Sequence, residues 1–184
     1  AHSMTQTPHN ARSFTTPPGT DQALPLLAEI ATAPCPFAPA TPRQPLALYG
    51  AGKLGQLARD FLNSVGLDFV MAIDRNARQL AEEPAWTVPL LQPDEVDDVA
   101  KRETRLAVSV VTTPYVPLER SLAELGFADI VPFFDLAESF RHIHPLSNGW
   151  FAPPLTAEDR ENTTRVLELW DDNISRAHHL QFLA

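Results

Sequence analysis

Residues 46–74 read LALYGAGKLGQLARDFLNSVGLDFVMAID. An apolar run meets a glycine turn, then a helical stripe, then a second apolar run that ends at Asp74. The turn, Gly50-Ala51-Gly52-Lys53-Leu54-Gly55, has G-x-G-x-x-G spacing, a weak signal alone that gains meaning between a strand and a helix. Gly50 permits the tight exit from the strand. Gly52 has no Cβ, so a phosphate can approach the backbone, and Gly55 lets the helix pack against the strand. The helix then offers free N–H groups and the positive end of its dipole to an anion. Asp74 stands where a carboxylate accepts hydrogen bonds from ribose hydroxyls. A glycine turn that binds nothing is the simpler alternative, since fold does not imply function.

Outward from that turn the periodicities continue. Leu54, Leu57, Ala58, Phe61, Leu62 and Val65 form one buried helical stripe that Gly66 ends. Residues 69–73 are a second strand and 77–86 a loop with a helical turn. Residues 87–91 are a short third strand broken at Pro89. Pro93 is expected to open a helix, with Asp94 and Glu95 in its first turn and Val96, Val99 and Ala100 inward. Residues 106–111 are a fourth strand running into Thr112-Thr113-Pro114-Tyr115. Leu118, Leu122 and Leu125 mark the next helix. Residues 130–134 are a fifth strand, placed at a sheet edge by Pro132, and Asp135 with Glu138 reads as a capping box for a helix over 136–141.

Strands alternating with helices predict an α/β chain. The expected architecture is a Rossmann-like three-layer sandwich with a mostly parallel sheet of about five strands, plus a helical C-terminal extension. A ligand crevice in such a sheet lies beyond the carboxyl ends of the strands. Three segments far apart in sequence end there. They supply the candidate nucleotide-binding residues Gly50, Ala51, Gly52, Lys53, Leu54, Gly55, Asp74, Arg75, Asn76, Thr112, Thr113 and Tyr115. Arg75 after Asp74 also fits a cofactor with a 2′-phosphate, although a solvated surface arginine is the simpler reading.

The flanks are different in kind. Residues 1–45 divide into a polar tail, a short helix and a proline-rich connector. In the helix Thr20 is expected to cap, with Leu24, Leu27 and Ile30 on one face and Pro25 near its start. Residues 46–144 are the Rossmann-like nucleotide-binding-type domain. Residues 145–184 are a loop and helical extension. There Thr156 and Asp159 form a capping box, Val166, Leu167 and Trp170 a stripe, and Ile174, Ala177 and Leu180 another. Ala1-His2-Ser3 precedes Met4, the expected native start. The helical pattern at Phe182-Leu183-Ala184 has no stop signal, which leads us to expect further chain beyond it. The apolar tail is expected to pack partly on residues 46–144 and partly to dock a downstream domain or form a homodimer.

Composition narrows the function classes. The chain has 184 residues, 14 Lys+Arg against 23 Asp+Glu, and a net charge of -9, which argues against nucleic acid or an anionic membrane as partner. The single cysteine, Cys35, cannot form an internal disulfide and is consistent with a cytoplasmic location. The N-terminal stretch lacks the basic region and apolar core expected of a signal peptide, and the sequence has no apolar run of about 18 residues, so no transmembrane helix is expected. Metal binding is not expected: His142 and His144 lack companion ligands, and His178 and His179 point about 100° apart on a helix. Ser109 and Ser121 lack a nucleophile elbow. Asp97-Asp98 and Asp171-Asp172 read as helix-end and solvated charges. No side chain is assigned a catalytic role.

The stretches LALYGAGKLGQLARDFL, FVMAIDRN, PLLQPDEV, LAELGF and VLELWDDNISRAHHLQFLA resemble the N-terminal segment of FkbM-type methyltransferases. The resemblance covers roughly residues 46–184. It implies a Rossmann-like domain placed ahead of a separate S-adenosylmethionine-dependent O-methyltransferase domain. The front half is also similar to the nucleotide-sugar-binding domains of sugar acyltransferases. In these relatives the glycine turn and the acid after the second strand match Gly50, Gly52, Gly55 and Asp74. The usual methyltransferase cofactor motif is missing: Tyr49 precedes Gly50, and no strand pattern follows residue 145. The resemblance therefore implies a non-catalytic accessory domain that holds a nucleotide, nucleotide-sugar or NAD(P), with S-adenosylmethionine confined to the downstream transferase domain. Two other readings stand beside it: a small NAD(P)-dependent oxidoreductase with Tyr115 as its only proton donor, and a structural or oligomerisation domain with an empty turn.

Overall fold

The computed structural model describes residues 14–33, 44–80, 86–140 and 155–184. Cys35, most of the proline-rich connector, His142 and His144 lie outside them. The chain divides into two compact units, one built on residues 37–146 and one on residues 12–36 with 147–184.

The first unit holds a five-stranded, all-parallel sheet in the order β3-β2-β1-β4-β5. Its strands are β1 (Leu46–Tyr49), β2 (Met71–Ile73), β3 (Leu90–Leu91), β4 (Arg105–Val108) and β5 (Asp129–Pro132). All four residues of β1 are buried, as expected of a central parallel strand covered on both faces. Side chains alternate across the sheet. Ala47, Tyr49, Ile73, Leu106, Val108 and Ile130 enter one core cluster with Val96, Leu118, Leu122 and Phe127. The opposite face is covered by aromatic packing. Phe61 of helix α2 (Lys53–Ser64) meets Phe133 of α6 (Phe133–Glu138) edge to face, with ring centres 5.8 Å apart, and Phe140 at 6.2 Å. Each such pair adds roughly 0.5–1.5 kcal/mol to the burial of its rings.

The chain is thus α/β and Rossmann-like, with C-terminal helices in addition, and several boundaries differ from the sequence expectation. Pro93 does not open a helix. Glu95 folds back so that its carboxylate accepts the Gln92 N–H at 2.7 Å, which closes a turn. Helix α4 (Asp98–Glu103) starts later because the Asp97 carboxylate caps it, accepting the N–H groups of Val99 and Ala100. Its delayed start rotates Val99 out to solvent, while Val96 stays buried. The capping box expected at Asp135 and Glu138 does not form. Helix α6 begins earlier, directly after Pro132, which places Phe133, Leu136 and Ala137 in the core. Pro132 sits on β5 at the edge of the sheet, where its missing N–H breaks no ladder. Between β2 and β3 the only regular element among the described residues is one turn, α3 (Ala77–Leu80).

The second unit gathers α1 (Thr20–Thr32), α7 (Ala157–Leu169) and α8 (Asn173–Leu183). Ala23, Leu27, Leu167 and Leu180 form its core, flanked by Leu24, Leu26, Ile30, Leu155 and Leu183. Helix α1 is capped by Gly19, not Thr20, and Pro25 lies inside it. The capping box of Thr156 and Asp159 is present. On α8 the inward position belongs to Arg176, whereas Ile174 is 60% exposed. The guanidinium explains the exchange. Its Nε donates to the Leu167 carbonyl at 2.9 Å, one amino group donates to the Asn173 side chain at 2.7 Å and the other to the Trp170 carbonyl. Arg176 thereby satisfies carbonyls at the end of α7 that have no helical partner.

Candidate cavity at the glycine turn

Strand β1 ends at Tyr49, and the chain reverses through Gly50 at φ +100°, where a side chain would be strained. A Cβ there would also come 2.8 Å from Val110 Cγ2. The neighbouring strand end fixes the turn: the buried Ser109 hydroxyl donates to the carbonyls of Tyr49 and Gly50, each at 3.0 Å. Gly55 lies one helical turn further on, and a Cβ there would stand 1.9 Å from the Gly50 carbonyl oxygen. Two of the three glycines are thus required by the fold.

Gly52 is not. Its φ of -69° is ordinary for any residue, and a Cβ at this position would meet nothing within 4 Å. It is the N-cap of α2 and brings no side chain to cap the helix. The first N–H groups of α2 therefore lack helical partners. Lys53, the first helical residue, is exposed and has no carboxylate partner among the described residues.

The acid at the end of β2 is committed to the backbone. Asp74 accepts the Ala51 N–H on one carboxylate oxygen and the Asn76 N–H on the other, both at 2.8 Å. It ties the glycine turn to the end of β2. Arg75 follows, its carbonyl held by the Gln92 side-chain amide at 2.9 Å. The Tyr49 hydroxyl lies near Arg75. Burial raises the pKa of this phenol, and the Arg75 charge opposes that rise.

These segments enclose a cavity of about 640 Å³ at the carboxyl ends of β1, β2 and β4, within the usual size range of small-molecule sites. Between β1 and β4 the chain order of the sheet reverses, which is where ligands sit in open α/β sheets. Gly50, Gly52, Lys53, Leu54 and Gly55 line it from the turn, Asp74, Arg75 and Asn76 from β2, and Thr112 and Thr113 from the loop after β4. Ala51 contributes through its bond to Asp74. Tyr115 does not line the cavity. It follows Thr112 and Thr113 closely in sequence, but it is the first residue of α5 (Tyr115–Glu124), and the helix turns it inward. It packs against the core beside Leu118 and Leu122, and its hydroxyl is buried without a hydrogen-bond partner. Burial, and then the charges of Glu119, Asp135 and Asp129, push its pKa far above the ordinary phenol value.

Lining residues that the sequence reading omits are Tyr49, Ser109, Val110, Val111, Pro117, Leu118 and Ser121. The sequence expectation runs a strand over 106–111, but β4 stops at Val108, so Ser109, Val110 and Val111 belong to the crevice loop. Among the described residues no three His, Cys, Asp or Glu side chains gather to hold a metal, and no helix is long and apolar enough to cross a membrane. Compared with protein-family models, curated proteins and solved structures, the chain finds no match in any of the three.

Proposed function

We propose that the sheet unit is a non-catalytic nucleotide- or nucleotide-sugar-binding domain. In this reading it is the N-terminal part of an FkbM-type O-methyltransferase whose S-adenosylmethionine site lies in a downstream domain. The observation that carries the binding is Gly52. The fold needs no glycine there, yet the space a side chain would fill opens at an uncapped helix end beside Lys53. A phosphate fits that chemistry, because backbone N–H groups, the helix dipole and a cation all favour an anion. Tyr115, the proton donor considered for the oxidoreductase alternative, packs against the core and does not line the cavity, which weighs against that alternative.

Titration with UDP-sugars, NAD and S-adenosylmethionine, read by thermal shift, tests the reading. A bound nucleotide at 100 times its Kd stabilises by about 2.7 kcal/mol. The expected result is a shift with a nucleotide and none with S-adenosylmethionine, and loss of the nucleotide shift in Gly52→Val. If no nucleotide at millimolar concentration moves the transition, the turn is empty and the structural reading replaces this one.

A further inference from the structure

The wall of the cavity divides by chemistry. On the β2 side the polar groups are engaged within the protein. Asp74 accepts the N–H groups of Ala51 and Asn76, and the Arg75 guanidinium is hydrogen-bonded to the Tyr49 hydroxyl. Ser109 gives its proton to the carbonyls of the glycine turn. The side formed by the loop after β4 and the first turns of α5 differs. Its lining residues, Val110 to Thr113 with Pro117, Leu118 and Ser121, include no ionisable group. Thr112 and Thr113 are exposed, and their hydroxyls have no hydrogen-bond partner among the described residues. Ser121 donates to the Pro117 carbonyl at 3.0 Å, which leaves its oxygen able to accept. Between these hydroxyls lies aliphatic surface, and Val111 is 58% exposed. A second phosphate or a carboxylate would find no cation on this side. A neutral polyol suits it: each free hydroxyl can both donate and accept, and the aliphatic surface matches the C–H face of a sugar ring.

We propose that this side of the cavity is a sugar subsite, so that the ligand is a nucleotide-sugar with a neutral hexose and not a bare nucleotide or a dinucleotide. The phosphates lie at Gly52 and Lys53, and Thr112 and Thr113 read hydroxyls of the hexose. This rests on the nucleotide reading above, and it adds the class of the group that the nucleotide carries.

The test is calorimetry on the full chain with UDP and with its glucose, galactose, N-acetylglucosamine and glucuronate esters, beside ADP and NAD. We expect at least one neutral UDP-hexose to bind about tenfold tighter than UDP, the scale of two or so neutral hydrogen bonds, and UDP-glucuronate to gain less. In the double variant Thr112→Val, Thr113→Val the ratio of UDP-hexose to UDP should fall to about one. In Thr112→Ser, Thr113→Ser it should persist, because the hydroxyls remain. The melting temperature of each free protein confirms its fold. If no UDP-hexose exceeds UDP, if the advantage survives in the valine variant, or if NAD gains more over ADP than the hexose gains over UDP, the proposal is overturned and the nucleotide reading stands. Binding of none of these ligands overturns both.

Discussion

A Cβ on Gly55 would stand 1.9 Å from the Gly50 carbonyl oxygen, a backbone atom that Ser109 also holds. Neither side can yield without breaking the turn. Gly55→Ala should therefore cost about 3 kcal/mol or more, a fall in melting temperature of roughly 10 °C for a unit of this size. Gly52→Val should behave in the opposite way. Its site is sterically open, so the loss is limited to the poorer N-cap, about 1 kcal/mol, while ligand binding disappears. Thermal melts with and without nucleotide separate the two. Equal destabilisation by both would mean that Gly52 serves the fold after all. Asp74→Ala belongs between them: it leaves the Ala51 and Asn76 N–H groups unmatched, a cost of roughly 1–3 kcal/mol, and it loosens the turn that presents Gly52. A melting temperature unchanged in Asp74→Ala would show that these bonds brace nothing. The glycine turn was legible in the sequence because Gly50 and Gly55 each answer a local steric demand. The bracing role of Asp74 was not, since it depends on a turn and a strand end meeting at 2.8 Å.

At the scale of elements, the legible parts were those fixed by local chemistry. Of the stripe Leu54, Leu57, Ala58, Phe61, Leu62 and Val65, the centre at Ala58, Phe61 and Leu62 is buried, Leu54 and Val65 are half-buried, and Leu57 at the margin of the stripe is exposed; the Thr156–Asp159 capping box formed because both partners lie within one turn. Starts decided by competition were harder to read. Asp97 and Glu95 both offered a carboxylate near Pro93, and only the structure shows that Asp97 caps while Glu95 closes a turn. Arg176 was invisible as a core residue because hydrophobic periodicity does not register a guanidinium that caps another helix. Arg176→Lys should destabilise the helical unit by about 2 kcal/mol or more, since an ammonium cannot reproduce the fork to Leu167, Trp170 and Asn173; chemical denaturation followed by far-UV circular dichroism measures it, and a wild-type midpoint would refute it. The same unit has an acid dependence. The Thr156 hydroxyl chiefly lowers the pKa of Asp159, and the Ser175 backbone N–H chiefly lowers that of Asp172. A carboxylate depressed in the folded state contributes its stability above the ordinary aspartate value of about 3.9, and the contribution fades as pH falls through the depressed value. The stability gap between wild type and the Asp159→Asn, Asp172→Asn pair should therefore be full at neutral pH and narrow as the pH falls below about 4. A gap of constant size across that range would show that the charges contribute nothing to the caps.

For the whole molecule, charge sets up a conflict between distance and contact. The chain carries -9 overall, so an approaching nucleotide anion is repelled while it is still far away. Inside the cavity Lys53 and Arg75 outnumber Asp74, and the sign reverses. Salt acts on these two fields unequally. The Debye length falls from about 30 Å at 0.01 M to about 8 Å at 0.15 M, which removes the long-range repulsion first and weakens the exposed cationic contacts as well. The association rate of a nucleotide should accordingly rise with ionic strength, while its dissociation rate rises further and the affinity falls. Stopped-flow binding of a fluorescent nucleotide between about 0.01 and 0.15 M salt resolves the two rates. Repeating the series near pH 5.0, the isoelectric point, removes the net charge, and the salt-dependent rise in association should vanish there. An association rate that falls with salt at neutral pH would mean that the positive field of the cavity reaches beyond its mouth and steers the ligand in, so that net charge does not govern the encounter.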